Sequence, residues 1–282
     1  MKLLVTGAGG QLGSELRDLA ASHVGLDFIF TDREALPLDE PDRIAPFLNG
    51  KKPDVIINAA AYTAVDQAEK EPELADMINH LAPKAMAEWC RNNQAKLVHI
   101  STDYVFDGES STPLREDAPK NPINAYGRTK HLGEEAVIAA GTDAIIVRTA
   151  WVYSAYGKNF VKTMLRLMNE RDEISVVNDQ IGSPTYARDL AQAILAIISS
   201  DTWKKGIYHY SNEGKISWYE FAVAIRNLKG LNCKVNGIPT EAYHTPAKRP
   251  SYSLLDKQKI TDTFGLQVPY WKDSLQECLT KL

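Results

Sequence analysis

The stretch Lys2-Leu-Leu-Val5-Thr6-Gly7-Ala8-Gly9-Gly10-Gln11-Leu12-Gly13 decides how the rest of the chain is read. Lys2 to Val5 is a short apolar run of the kind a buried strand carries, and Ser14 to Ala21 follows with helical spacing. A strand, a glycine-rich turn and a helix in that order form a phosphate-binding unit. Glycine lets the backbone approach a pyrophosphate, and the free N–H groups at the helix start face its charge. The spacing is Gly7-x-x-Gly10-x-x-Gly13, one residue wider at its first pair than Gly-x-Gly-x-x-Gly, with Gly9 supplying that pattern's middle glycine. Asp27 to Thr31 reads as the second strand, and Asp32-Arg33 closes it about 20 residues past the loop. An acid there accepts hydrogen bonds from an adenosine ribose and favours NAD; an arginine beside it can hold a 2′-phosphate and favours NADP. Both are present, so either nicotinamide form is admitted, and Arg33 alone reads equally well as part of a charged turn.

Outward from this unit the pattern repeats. Val55-Ile-Ile-Asn58 is a third parallel-type strand, ending in Ala59, Ala60 and Ala61, whose small side chains leave room for a ligand across the sheet edge. A helix from about Pro72 to Asn92 carries Leu74, Met77, Ile78, Leu81, Ala85 and Trp89 as an apolar stripe expected in the core. Lys96 to Ile100 is the next strand, with Ser101-Thr102-Asp103-Tyr104 at its carboxyl end. A Ser/Thr/Pro-rich loop from Glu109 to Pro122 could overhang a cleft, and the strand Ala144 to Arg148 follows the next helix. Strands alternating with helices predict an α/β fold: a doubly wound parallel sheet of Rossmann type with a smaller C-terminal substrate-binding lobe. Residues 1–150 form the dinucleotide-binding domain, with 179–200 returning to it, and 151–178 and 201–282 mainly the second lobe.

Asn121-Pro-Ile-Asn124-Ala-Tyr126-Gly-Arg-Thr-Lys130 holds the chemistry. A tyrosine and a lysine four apart share one face of a helix. Each titrates near 10 when free, and the cation is expected to lower the tyrosine's pKa toward neutral, so that it can give or take a proton. Alone, such a spacing is often a solvated helix pair; the nucleotide-binding unit upstream is what gives it weight.

Composition narrows the partners. The 282 residues are 44% hydrophobic and 24% charged with a formal net charge of −4, an ordinary globular balance with no basic footprint for nucleic acid. Cys90, Cys233 and Cys278 lack metal-ligand spacing and read as reduced thiols, so the expected compartment is the cytoplasm. No apolar run is long enough to cross a membrane or to serve as a secretory signal.

The glycine loop, Thr102 and Tyr126-x-x-x-Lys130 together resemble the extended short-chain dehydrogenase/reductases. Longer strings narrow this to the dTDP-4-dehydrorhamnose reductase family: Asn58 to Asp66, Ser101 to Gly108, Arg148 to Tyr153, Asn159 to Leu165 and Asn178 to Thr185. The resemblance spans nearly the whole chain. It implies reduction of the C4 ketone of a dTDP-linked 4-dehydro-6-deoxyhexose by NADPH or NADH. In that chemistry Tyr126 protonates the alkoxide, Lys130 holds the nicotinamide ribose, and Thr102 hydrogen-bonds the carbonyl. It further implies Gly7, Gly10, Gln11, Leu12 and Gly13 around the pyrophosphate and Asp32 and Arg33 at the ribose. Leu38 and Asp39 fall toward adenine, and Ala60, Ala61, Tyr62 and Thr63 along the cofactor. On the substrate side it implies Thr102, Asp103, Tyr104 and Trp151, with Asn159, Lys162, Lys248 and Arg249 toward the diphosphate, where a solvated basic loop is the plain alternative for the last two.

Two departures stand out. At the adenine end, Pro37-Leu38 replaces the family's usual acid and apolar pair, with Asp39 displaced. Some members join subunits through magnesium held by carboxylates; Glu15 matches one such position, but Arg188 falls at the second. A lone carboxylate beside an arginine is a poor magnesium site. No metal is therefore expected, Glu15 is expected on a helix surface, and the protein as a monomer or weak homodimer without a metal-bridged interface. A dehydratase on this fold needs a second carboxylate after Asp103, where Tyr104 stands. An epimerase, or a non-catalytic regulatory subunit, are the remaining alternatives, and the latter would be expected to have lost Thr102, Tyr126 or Lys130.

Overall fold

The computed structural model describes all 282 residues. In chain order the first half runs β1 Lys2–Thr6, α1 Gln11–Ala20, β2 Asp27–Phe30, α2 Ile44–Lys51, β3 Val55–Asn58, α3 Val65–Ala68, α4 Pro72–Asp76, α5 Ala82–Asn93, β4 Lys96–Thr102, α6 Ala125–Ala139 and β5 Asp143–Thr149. The second half runs β6 Val152–Tyr153, α7 Phe160–Glu170, β7 Glu173–Val177, β8 Ile181–Gly182, β9 Thr185–Tyr186, α8 Ala187–Ser199, β10 Gly206–His209, β11 Ile216–Ser217, α9 Trp218–Leu228, β12 Lys234–Ile238, α10 Gln258–Phe264 and α11 Trp271–Leu279.

Six strands form one parallel sheet in the order β10-β5-β4-β3-β1-β2. Successive strand side chains point to opposite faces, and here both faces are apolar. Leu3, Val5, Val55, Ile57, Val98, Ile145 and Val147 pack under α1 and α8, while Leu4, Ile56, Leu97, Ala144 and Ile146 pack under α2 and α5. Two-sided burial is what makes these strands continuous hydrophobic runs rather than alternating ones. A separate core of Tyr153, Val161, Met164, Ile174, Tyr186, Phe221, Ile225, Trp271 and Leu275 holds α7, α9, α11 and the parallel pair β7–β12 together as the second lobe.

The chain crosses between these bodies more often than the sequence suggests. α8 lies against α1, and β10 adds the sixth strand beside β5, so residues 206–209 belong to the main sheet rather than to the second lobe. The apolar stripe expected on 72–92 is displaced. A π turn at Met77–Leu81 joins α4 to α5, and the extra residue it accommodates rotates the burial. Ala75, Asn79, Ala82, Met86, Ala87, Trp89 and Cys90 are buried, whereas Leu74, Met77, Ile78, Leu81 and Ala85 are only half-buried. The loop after Glu109 does not overhang the cleft. Leu114 bridges to Leu255, and the segment packs on the C-terminal strand-like stretch.

The π turn sets the seat of α6. Gly133 of α6 faces the Asn79 carbonyl oxygen so closely that a Cβ would collide with it, and Asn79 in turn donates to Thr129 Oγ1 at 3.1 Å. Gly133→Ala should therefore destabilise the fold by about 1–3 kcal/mol through overpacking. Gly50→Ala, in α2 with open space at its Cβ, should stabilise by up to about 1 kcal/mol from helix propensity. Chemical denaturation of the two variants beside the wild type checks both signs; equal midpoints for Gly133→Ala and wild type would refute the close seating of α6.

Candidate active site

A cleft of about 820 Å³ opens at the carboxyl edge of the sheet, where the strand order reverses between β1 and β3. One end is the glycine turn, with Gly7, Gly9, Gly10, Gln11 and Leu12 in its wall. Gly7 has φ +69°, and a Cβ on it would lie 2.8 Å from the Ala60 backbone; only glycine fits. Gly13 stands behind the turn, seated on the Gly7 carbonyl, and does not line the cleft. Gly10 caps α1 without a side-chain hydrogen bond, so the first amides of that helix have no side-chain partner. A bare helix start facing a bare backbone turn is a cradle for a pyrophosphate, and the residues present fit a dinucleotide.

At the far end lie Asp32 and Arg33. Asp32 Oδ1 accepts from the Glu34 and Ala35 amides at 3.1 and 3.0 Å. Arg33 is exposed and ion-paired to Asp39 at 2.9 Å, so Asp39 acts by holding Arg33 and is not itself in the cleft wall. Leu38 is buried in the core with Leu36 and Ile44 rather than in the cleft, which removes it from the adenine end. Ala60, Ala61 and Thr63 line the cleft, but Tyr62 does not. Its backbone is tied to Asn79 and its hydroxyl donates to Glu71 at 2.5 Å, the contact that pushes its pKa up to about 12.

Thr102, Tyr126 and Lys130 converge in the cleft. Thr102 ends β4 and caps the following turn, its Oγ1 accepting from the Tyr104 amide at 3.2 Å. α6 starts where Asn124 Oδ1 accepts from the Gly127 amide at 2.8 Å, which places Tyr126 in its first turn and Lys130 in its second. Lys130, 1% exposed, donates to the Ile100 carbonyl at 2.6 Å. The expected lowering of the tyrosine pKa by the lysine is not what this site gives. Burial dominates, pushing Tyr126 up to about 12, partly offset by a hydrogen bond to Thr102 and reinforced by Asp103. Burial also lowers Lys130 to about 8, offset in part by Glu134. Desolvation disfavours whichever form is charged, and the lysine, turned to the Ile100 carbonyl, is not among the groups that move the tyrosine.

Behind Lys130, one more helical turn brings Glu134, a residue the sequence reading passed over. It is buried, takes a two-pronged hydrogen bond from Arg148 (2.9 and 2.6 Å), and accepts from Ser101. Tyr126, Lys130 and Glu134 at i, i+4 and i+8 share a helix face, and extending the Tyr–Lys spacing by one turn was the signal available.

On the substrate side Asp103, Tyr104 and Trp151 line the cleft. Trp151 has φ +50°, a conformation uncommon outside glycine, and its indole stacks on Trp218 at 3.7 Å and 14°. Trp218 and Lys158 also line the wall and were not anticipated. Trp218 was findable, because Ser217-x-x-Glu220 is a capping box that puts it at the start of α9. Asn159 instead caps α7 and donates to Gln11 Oε1 at 2.9 Å. Lys162 donates to the Ala155 carbonyl at 3.1 Å, and Lys248 is exposed. Arg249 clamps Asp66 with two hydrogen bonds, 3.1 and 2.7 Å, tying the C-terminal segment to α3. None of these four lines the cleft. Glu15 is not on the surface: it is fully buried, accepting from Ser154 at 2.6 Å and from Arg188 at 3.3 Å. Burying a carboxylate requires such partners.

Comparison with known proteins adds the family. The family model described as RmlD substrate binding domain matches residues 1–282. A Bacillus subtilis spore coat polysaccharide biosynthesis protein, SpsK, is 43% identical over 99% of this chain and 96% of its own length. The crystal structure of a dTDP-4-dehydrorhamnose reductase from Clostridium acetobutylicum superposes with TM-score 0.95 at 44% identity, covering 99% of both chains. That of a dTDP-4-dehydrorhamnose reductase from Bacillus anthracis in complex with NADP gives TM-score 0.95 at 40% identity, covering 100% of this chain and 99% of its own.

Removing one partner of the buried Glu134–Arg148 pair leaves a charge without compensation. Glu134→Gln should cost about 3–5 kcal/mol in denaturant unfolding; a loss near zero would show that the pair does not hold α6 on the sheet.

Proposed function

The chain belongs to the RmlD family, and from that premise we propose that it reduces the C4 ketone of dTDP-4-dehydro-L-rhamnose to dTDP-L-rhamnose, with NADPH or NADH as reductant. The observation that carries this reading is the meeting of Thr102, Tyr126 and Lys130 in one cleft with an uncapped, glycine-lined helix start.

The cradle of Gly7, Gly10, Gln11 and Leu12 holds the pyrophosphate, Asp32 and Arg33 the adenosine ribose, and Ala60, Ala61 and Thr63 the length of the cofactor. When bound, the nicotinamide supplies a hydride to C4. The chain's own groups handle the oxygen. Thr102 donates a hydrogen bond to the ketone, and Tyr126 gives its phenolic proton to the oxygen as the C4–H bond forms, so the carbonyl leaves as an alcohol. Lys130 brings a cation to within one helical turn of that phenol, favouring its deprotonated form once the proton has gone. Trp151 and Trp218 offer apolar ring faces to the deoxysugar, and Lys158 is the cation in the wall suited to the diphosphate. Tyr104 in place of a second carboxylate argues against dehydration. We further infer that the enzyme works in the cytoplasm as a monomer or weak homodimer without bridging magnesium. Three buried free cysteines support the compartment. The chain's own Arg188 beside Glu15 supports the absence of a bridging metal. No helix is long and apolar enough to cross a membrane.

Purified protein with NADPH and enzymatically generated dTDP-4-dehydro-L-rhamnose should consume the absorbance of reduced nicotinamide; no oxidation with authentic substrate would refute the assignment. Tyr126→Phe should lower kcat by about 10²–10⁴-fold while NADPH binding, read by fluorescence, stays near normal, and a near-normal kcat would exclude this phenol as the acid. Arg33→Ala should weaken NADPH by about tenfold or more, the worth of a hydrogen bond to a charged group, and leave NADH unchanged. Equal losses for both would show that Arg33 does not read the 2′-phosphate.

A further inference from the structure

One buried titratable group in the cleft, Asp103, has no part in this mechanism. It is 2% exposed, lies in the cleft wall, and has one oxygen, Oδ2, buried with no hydrogen-bond partner. Its other oxygen accepts from the Thr102 hydroxyl at 3.0 Å. That bond conflicts with the role given to Thr102. A threonine hydroxyl has a single proton, and of the two acceptors in its reach, the Asp103 carboxylate and the neutral phenol of Tyr126, the carboxylate is the stronger and takes it. It cannot be donated to a ketone at the same time. The acceptor side of Thr102 is already partly used by the Tyr104 amide at 3.2 Å.

Resting on the reductase reading above, we propose that Asp103 is a positioning residue that works through Thr102: protonated, it donates to Thr102 Oγ1 and frees the hydroxyl proton for the substrate ketone; ionised, it captures that proton and switches the donor off. No atom is gained or lost at Thr102, which only turns its O–H from Asp103 to the ketone, while the Asp103 O–H takes over the bond between them.

The surroundings favour the protonated form. Tyr126 faces Asp103 from α6, with Lys130 one turn further along, and Ser253 faces it from the C-terminal segment; Arg249 and Asp66 pair with each other beyond Tyr104. No cation is paired with the carboxyl, and burial raises its pKa to about 6, offset by the nearby Ser253 hydroxyl and by the hydrogen bond from Thr102. An anionic sugar nucleotide entering the cleft acts in the same direction.

The sign follows. Activity belongs to the protonated form, so kcat/KM should fall as pH rises through the Asp103 pKa, approaching about tenfold per unit above it. The window between pH 5.5 and 7.5 stays below Lys130's loss of charge at about 8. Asp103→Asn replaces the switch with an amide that always donates to Thr102. Its kcat/KM should vary by less than about twofold across the window where the wild type falls about tenfold or more. Thr102→Val should also flatten the profile, at a much lower kcat, and adding Asp103→Asn to it should change nothing further. NADPH binding by fluorescence and a thermal melt show that each variant is folded. Should Asp103→Asn not fold, the Thr102→Val profile alone decides. A wild-type limb that persists in Asp103→Asn or in Thr102→Val overturns the proposal. So does a profile that rises with pH together with a KM increase in Asp103→Asn, which would mark a carboxylate accepting a sugar hydroxyl directly. Wild-type protein with no turnover at any pH refutes the reductase reading instead, so the two failures are told apart.

Discussion

A buried ammonium is the constraint on which the rest of the site depends. Lys130 is almost wholly removed from water, and desolvation on that scale disfavours its charge. The compensation is built in layers. The Ile100 carbonyl accepts from Nζ at 2.6 Å, Glu134 one turn away supplies a negative charge, and Arg148 and Ser101 satisfy that carboxylate in turn. Each group in the series comes from α6, β4 or β5, so the same bonds that keep the lysine charged dock the helix onto the carboxyl end of the sheet. Tyr126 is positioned as a consequence, because it sits one turn before the anchored lysine on the same face.

The opposite wall of the cleft obeys a different rule. Where strand order reverses, the connections on either side diverge and leave a crevice above the strand ends. The glycine turn after β1 fills one side of it with backbone alone, and β3 ends in small residues that continue the floor. The second lobe closes the other side through two aromatic rings, Trp151 and Trp218, contributed from residues 67 positions apart and held face to face at 3.7 Å. The Arg249–Asp66 clamp ties the C-terminal segment to α3, so that segment is held by charge as well as by apolar packing.

Much of this was legible in the sequence, because the strands, the turn and the Tyr–Lys helix are local. Lys2 to Val5, the glycine loop and Tyr126-x-x-x-Lys130 each announce their structure within about ten residues. What was not legible depends on partners distant in the chain. Glu134 reads as an ordinary helix-surface glutamate until Arg148 is placed under it. Glu15 was expected on the surface for the same reason, and is buried because Arg188 and Ser154 arrive from the other half of the molecule. The stripe on 72–92 failed because a single π turn at Met77–Leu81 shifts the helical phase, which no regular period anticipates. The family resemblance implies Leu38 and Tyr62 at the cofactor, yet one packs inward and the other turns to Glu71. The Tyr–Lys spacing alone points to a lowered Tyr126 pKa, and burial, which depends on the whole fold, reverses the sign.

The central claim is that the phenol, the amine and the hydroxyl converge where a hydride reaches a ketone carbon. Turnover with reduced nicotinamide carrying deuterium at its transferable position, followed by NMR of the sugar nucleotide, tests it most directly. The account predicts one deuterium, on C4 of the hexose and on one face only. A product without label, or with label at another carbon or on both faces of C4, would contradict it.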